Sequence, residues 1–237
     1  MEVPLLGGNM TVGLVRVGDT VRRPPTDASG FVAAVLHHLQ AVGFDGAPRH
    51  LGIDERGRDV LTFVDGVDHP RWQHWRDEQV VAAGRLLRRF HDATAGSAIA
   101  GPHEVVCHRD PGSQNMIFDT DDVPFAFIDF DGVEPGRRLE DVGYLAWSWC
   151  TWSSTHGGED NPCEVQAHRL RVTADAYGLD AAGRAGLVDA IIGRQVWSVD
   201  FWRGRPDDPS AADHIASCLH EADRTRRLRP IFDAALA

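Results

Sequence analysis

Residues 107–131 read CHRDPGSQNMIFDTDDVPFAFIDFD, and the order of polar residues in this stretch decides how the rest of the chain is read. Asp110 stands five residues before Asn115, and Asp129 follows two short apolar runs, Met116–Phe118 and Phe125–Ile128, separated by the polar turn at 119–122. That pattern predicts a β-hairpin with Asn115 just before its first strand and Asp129 at the end of its second. Taken singly, Asp110, Asn115 and Asp129 would suit turns around Pro111-Gly112 and Gly132. As an ordered set they place one carboxylate base beside an amide oxygen and a second carboxylate, a donor set that suits Mg²⁺.

The motif HRDPGSQN followed by IDFD resembles the aminoglycoside phosphotransferase and choline kinase-like branch of the protein-kinase-like fold. The resemblance extends to LLGGNMTVGLVRVGDTVRRPP (5–25) as opening nucleotide-binding strands. It takes in GFDGAPRHLGIDERGRDVLTFVDG (43–66) as the remaining N-lobe sheet and hinge, and GRLLRRFHDAT (84–94) as the helix before the catalytic loop. EPGRRLEDVGYLAW (134–147) matches the segment after the metal-binding Asp. The implied fold is α+β: a small antiparallel-sheet N-lobe over 1–66, with a hinge near 62–66, and a mainly helical C-lobe over 67–237. The implied activity is phosphoryl transfer from ATP or GTP to a hydroxyl of a small molecule, such as an aminoglycoside-like antibiotic, another natural product or a metabolite. Asp110 would act as the base, and Asn115 and Asp129 would hold Mg²⁺. Asp131 either gives that cation a further oxygen or fixes the turn with Gly132. His108 and Asp141 are expected to support the loop structurally, and Arg109 to pair with a local carboxylate.

Two features depart from the family pattern. The chain contains no lysine, all 24 of its Lys-plus-Arg residues being Arg, so the strand lysine that touches nucleotide phosphates must be replaced. Alternation along the strand ending in Arg22-Arg23 sends the two side chains to opposite faces, and Arg22 is assigned to the phosphates. The predicted helix from Ser29 to Val42, with Phe31, Val32, Val35, Leu36 and Leu39 on one stripe, carries no acid to pair with that cation, and Asp27 is the nearest. These departures support a rival reading, a catalytically weak or inactive kinase-like binding protein. Gly8, in the Gly7-Gly8 turn, is expected near the phosphates, and Thr62 and Val64 at the adenine edge.

From Tyr144 onward the pattern predicts helices over Val165–Tyr177, Ala182–Trp202 and Ala211–Arg227. Trp149, Trp152, His156, Glu159 and Asp160 offer aromatic faces and carboxylates for an acceptor, with Trp147 beside them, and suit a cationic one. The formal net charge of -11 agrees with that and argues against nucleic acid as a partner. No apolar run spans a bilayer, and the N-terminus has no basic region before an apolar stretch, so a cytoplasmic protein without membrane association is expected. Four cysteines (Cys107, Cys150, Cys163, Cys218) lie without close pairing, and zinc at His214, Cys218, His220 and Glu221 is disfavoured because His220 leaves the helix face shared by Cys218 and Glu221.

Overall fold

A computed structural model describes residues 1–5, 13–153 and 161–237. Short runs of Val, Thr and Leu separated by Gly-containing turns form the N-terminal sheet. Its strands are β1 (Val3–Pro4), β2 (Val15–Val17), β3 (Thr20–Arg23), β4 (His50–Ile53) and β5 (Asp59–Thr62). They pair antiparallel in the order β1-β2-β3-β5-β4, with Arg23 opposite Asp59 and Arg22 opposite Val60. Helix α1 (Ser29–Ala41) lies between β3 and β4 and buries Val32, Val35, Leu36 and Leu39, the expected stripe; Phe31 is only partly covered.

The sheet ends at Thr62, and β6 (Val67–Asp68) belongs to a different sheet, where it pairs with β8 (Met116–Phe118). Gly66 makes this crossing possible. Its φ is +154°, and a Cβ there would lie 2.3 Å from Ile117 Cγ2 and 2.5 Å from the Phe118 carbonyl oxygen, so no larger residue fits. Helix α2 (Asp77–Thr94) then buries Val80, Ala83, Leu86, Leu87 and Phe90 along one face.

The predicted hairpin forms from β8 and β9 (Pro124–Phe127), one residue displaced from the expected second strand. Its turn is tied by Asp119, whose Oδ1 accepts the N–H groups of Asp121 and Val123, each at 3.0 Å. Strands β7 (Val105–Cys107) and β10 (Glu134–Gly136) form a second antiparallel pair and bracket the hairpin in sequence. Both ends of the decisive segment are therefore held by strands.

Helix α3 (Arg138–Ala146) continues into a π-helical turn over Trp147–Thr151, followed by α4 (Cys163–Tyr177), α5 (Ala181–Arg203) and α6 (Ala211–Leu236). Helices α3 and α5 meet at backbone distance, because Gly143 leaves room for Ala190; a Cβ would stand 2.7 Å from the Ala190 carbonyl carbon. Helix α6 runs nine residues past its expected end and through Pro230. The lost backbone bond is outweighed because Phe232 and Leu236 are buried. Trp75, Phe118 and Trp149 stack in the core, with Trp75–Trp149 centroids 4.6 Å apart. No helix among the described residues is long and apolar enough to cross a membrane.

Candidate active site

The loop after β7 is built from beneath. Asp141, on the first turn of α3, is buried, and its carboxylate accepts the backbone N–H of His108 at 2.6 Å and of Arg109 at 2.9 Å, while His91 of α2 lies 3.1 Å away. Burial pushes its pKa up, but His91 and the loop outweigh that and hold it below the ordinary carboxylate value. Arg109 takes a left-handed φ of 70° and pairs with Glu134 and Glu140, so its charge is spent locally. His108 is fully buried against Phe127 and Phe130, and its Nε2 donates to the Ile128 carbonyl at 3.1 Å, one residue before Asp129. Burial lowers its pKa, so the ring is neutral and carries its proton on Nε2.

On this support, Asp110 and Asp129 face the same space. Asn115 sits in a 3₁₀ turn (Ser113–Asn115); its carboxamide N–H donates to the Asp110 backbone carbonyl at 3.0 Å, and its backbone carbonyl accepts the Ile128 N–H at 2.9 Å. The base loop and the end of the hairpin are thus locked together. Asp129 has φ 59° and ψ 68°, a left-handed conformation that aims its side chain away from the strand. Burial raises its pKa, as does the nearby Asp110 charge, while Arg23 and Arg71 pull the other way. The half-buried Asp110, the exposed Asp129 and an amide oxygen form a hard-oxygen donor set whose mutual repulsion a divalent cation would relieve, and in that sense the residues fit Mg²⁺.

Asp110 itself touches Arg71, whose guanidinium lies 3.1 and 3.2 Å from its two oxygens, and Gln114 at 3.2 Å. Burial raises its pKa, but Arg71, Tyr144 and Arg194 together bring it below the ordinary value.

Across the junction with the N-terminal sheet, Arg23 rather than Arg22 reaches this site. Arg23 is buried and pairs with Asp131, with Asp59 at 3.0 Å and with the Ser29 hydroxyl at 3.1 Å; its buried Nε has no partner among the described residues. Arg22 points to the other face, toward Thr20 and Asp54, the latter 3.6 Å away. Alternation along β3 holds as expected, with the inward residue one position later. The acid absent from α1 is replaced by Asp59 of β5, the cross-strand neighbour of Arg23, rather than by Asp27. Ser29 of α1 bonds Asp59 at 2.7 Å. Sequence reasoning missed Asp59 because a cross-strand partner becomes visible only once the register is known.

Thr62 closes β5, its N–H on the Arg49 carbonyl and its Oγ1 taking the Arg49 N–H at 2.8 Å, and Val64 lies in the segment 63–66 that leaves the sheet. Gly8, His156, Glu159 and Asp160 lie outside the described residues. Trp149 and Trp152 belong to the core and are not on a wall facing Asp110. Trp149 packs on Trp75 and Phe118, and Trp152 on Trp72 and His74, with its indole N–H on the Gln73 carbonyl at 3.2 Å. Their helical spacing reads equally well as core packing. In α6, Glu221 accepts from the Trp147 indole and Ser153, while His214 stacks on Trp202, so these residues serve different neighbours. His91, Cys107 and Asp141 form the one close His/Cys/carboxylate group among the described residues. Its His and Asp are already hydrogen-bonded, and burial pushes the thiol pKa far up.

Residues 30–187 match the model of the phosphotransferase enzyme family. The chain is 31% identical to the trifolitoxin immunity protein of Rhizobium leguminosarum bv. trifolii, covering 81% of this chain and 79% of that protein. The fold is similar to a choline/ethanolamine kinase family protein from Mesorhizobium loti, with TM-score 0.62, 17% identity, and 98% and 90% of the two chains covered. It is also similar to a spectinomycin phosphotransferase solved with ADP and spectinomycin, with TM-score 0.57, 11% identity, and 96% and 93% covered. With its antiparallel N-terminal sheet, its Asp110-to-Asp129 segment and its helical C-terminal part, the chain belongs to the phosphotransferase enzyme family and is an enzyme of the small-molecule kinase type on the protein-kinase-like fold.

Proposed function

We propose that this protein transfers the terminal phosphoryl group of ATP or GTP to a hydroxyl of a small molecule, with Mg²⁺ at Asn115 and Asp129. The observation that carries the reading is the joint anchoring of Asp110 and Asp129 by the Asn115, His108 and Asp141 hydrogen bonds. The acceptor oxygen attacks the terminal phosphorus as the bond to the bridging oxygen breaks, and its proton passes to Asp110 while the nucleoside diphosphate leaves. Because Asp110 is a weakened base, its main contribution is to orient the hydroxyl, with proton transfer late, as suits a loose transition state. Mg²⁺, when bound, would neutralise charge on the transferred group. Arg23 is the proposed phosphate contact: Asp59 and Ser29 hold it, and its Nε, without a partner among the described residues, is left to donate to a phosphate oxygen. Asp131 holds the same cation and so serves it rather than the metal. We place the lobe hinge at 63–66, where the chain changes sheet. A relative named for immunity to trifolitoxin supports a toxic or antibiotic acceptor, and with it a resistance role.

Asp110→Asn tests the chemistry. Turnover should fall by about 10² or more with nucleotide affinity retained, and turnover left intact would remove Asp110 from the mechanism. Nucleotide- and Mg²⁺-dependent thermal stabilisation of wild type, without turnover of any hydroxylated compound, would return the binding-protein reading.

A further inference from the structure

The surroundings of Asp110 bear on what it acts upon. Arg71 spans both Asp110 oxygens, the place an acceptor hydroxyl must occupy under the proposed phosphotransfer. The two side chains are about equally open, 35% and 36% exposed, so the pair can be displaced by a ligand. Releasing it leaves Arg71 half-buried without its anion, which is costly unless the ligand supplies another. A second cation lies beside it. Arg194 of α5 rests on the Tyr144 ring at 4.0 Å and the Trp197 ring at 4.2 Å, has no ion-pair partner among the described residues, and keeps a buried Nε without a hydrogen-bond partner. Tyr144 links the two, since its ring carries Arg194 at 4.0 Å and has Arg71 at 5.9 Å. Trp72, between Arg71 and the Trp147 ring, holds a left-handed φ of 64°, a conformation a bulky side chain adopts only under constraint and one that concentrates at binding sites.

We infer that the acceptor carries an anionic group, received by Arg71 and Arg194 beside its reacting hydroxyl, with the Tyr144 and Trp72 rings against an apolar part. The inference rests on the phosphotransferase reading and reverses the acceptor charge expected from composition. A cationic acceptor would meet two guanidinium groups and provide a partner for neither.

The test uses the full-length protein with Mg²⁺-ATP and three matched primary alcohols: para-(hydroxymethyl)phenylacetate, its primary amide, and para-(hydroxymethyl)phenethylamine. We expect the carboxylate to exceed the amide roughly tenfold in kcat/KM, about the gain of one charge-assisted pair, and the amine to be poorest. Arg194→Gln should cut that advantage below about threefold. Arg203→Gln, on an exposed arginine of the same helix paired with Asp200, controls for net charge and should leave it. If no alcohol is turned over, calorimetric affinities in the presence of nucleotide are judged by the same ratios. Preference for the amine, equal use of all three, or an advantage untouched by Arg194→Gln overturns the inference. Equal losses on all three alcohols in Arg71→Gln would assign Arg71 to the transferred phosphoryl group instead. Acceptor-independent Mg²⁺-ATP binding and hydrolysis by water report on the phosphotransferase reading separately, and their absence would sink that reading first.

Discussion

Replacing Arg23 with Ala should do two separable things. Arg23 is 5% exposed and Asp59 4% exposed, so the variant strands a buried carboxylate that keeps, among the described residues, the Ser29 hydroxyl at 2.7 Å and His50 at 3.3 Å as polar partners. Removing one member of a buried pair costs about 3 to 5 kcal/mol. For a chain of this size each kcal/mol lowers Tm by about 2 to 4 °C, so a drop on the order of 10 °C is expected. Arg22→Ala breaks a longer and more open contact to Asp54, 3.6 Å apart, and should cost under about 1 kcal/mol. Replacing both partners, as Arg23→Met with Asp59→Leu, should recover much of the lost stability because no charge is left unpaired. That double variant should still bind triphosphate poorly relative to adenosine, because the phosphate contact is gone. Thermal denaturation reads the first effect, and calorimetry with ATP and adenosine the second. A double variant that keeps triphosphate selectivity, or an Arg22→Ala variant that loses it, would refute the assignment of Arg23.

Asp129→Ala should abolish Mg²⁺-dependent nucleotide binding along with turnover; calorimetry showing the metal-nucleotide affinity unchanged would remove Asp129 from the metal site. Gly66→Ala should destabilise by about 3 kcal/mol, combining backbone strain with a clash against Ile117 and the Phe118 carbonyl, and a denaturant midpoint equal to wild type would contradict that packing. Asp141→Asn should cost about 1 to 3 kcal/mol, since one amide oxygen cannot accept all that the carboxylate does and its NH₂ faces backbone donors. The Asp141 pKa is lowered in the fold, so its contribution is present above the unfolded value of about 4 and is lost as pH falls toward the folded one. Stability curves of wild type and Asp141→Asn should therefore converge on acidification, and parallel curves would show that the carboxylate charge does not matter.

Local sequence was sufficient wherever the physics is local. The Asp110–Asn115 spacing, the hairpin with its polar turn at 119–122, the α1 stripe and the place of Asp129 at the end of the hairpin depend on residues within about two dozen positions of one another, so order and periodicity expose them. His108 meets the Ile128 carbonyl 20 residues on, whereas Arg109 meets Glu140 31 residues on, a partner that strand and helix packing had to supply. What the tertiary structure decided are the pairings that require register and helix packing. Arg23 faces inward because β3 pairs with β5 so that it meets Asp59, 36 residues away, a relation that a one-residue shift would hand to Arg22. Trp149 and Trp152 became core because α2 and the hairpin bring Trp75 and Phe118 against the π-helical turn, and nothing in their own spacing separates a binding wall from a buried one. The cationic setting of Asp110 arises in the same way, from Arg71 before α2 and Arg194 on α5, which share no local pattern and meet only where α3 presents Tyr144 between them.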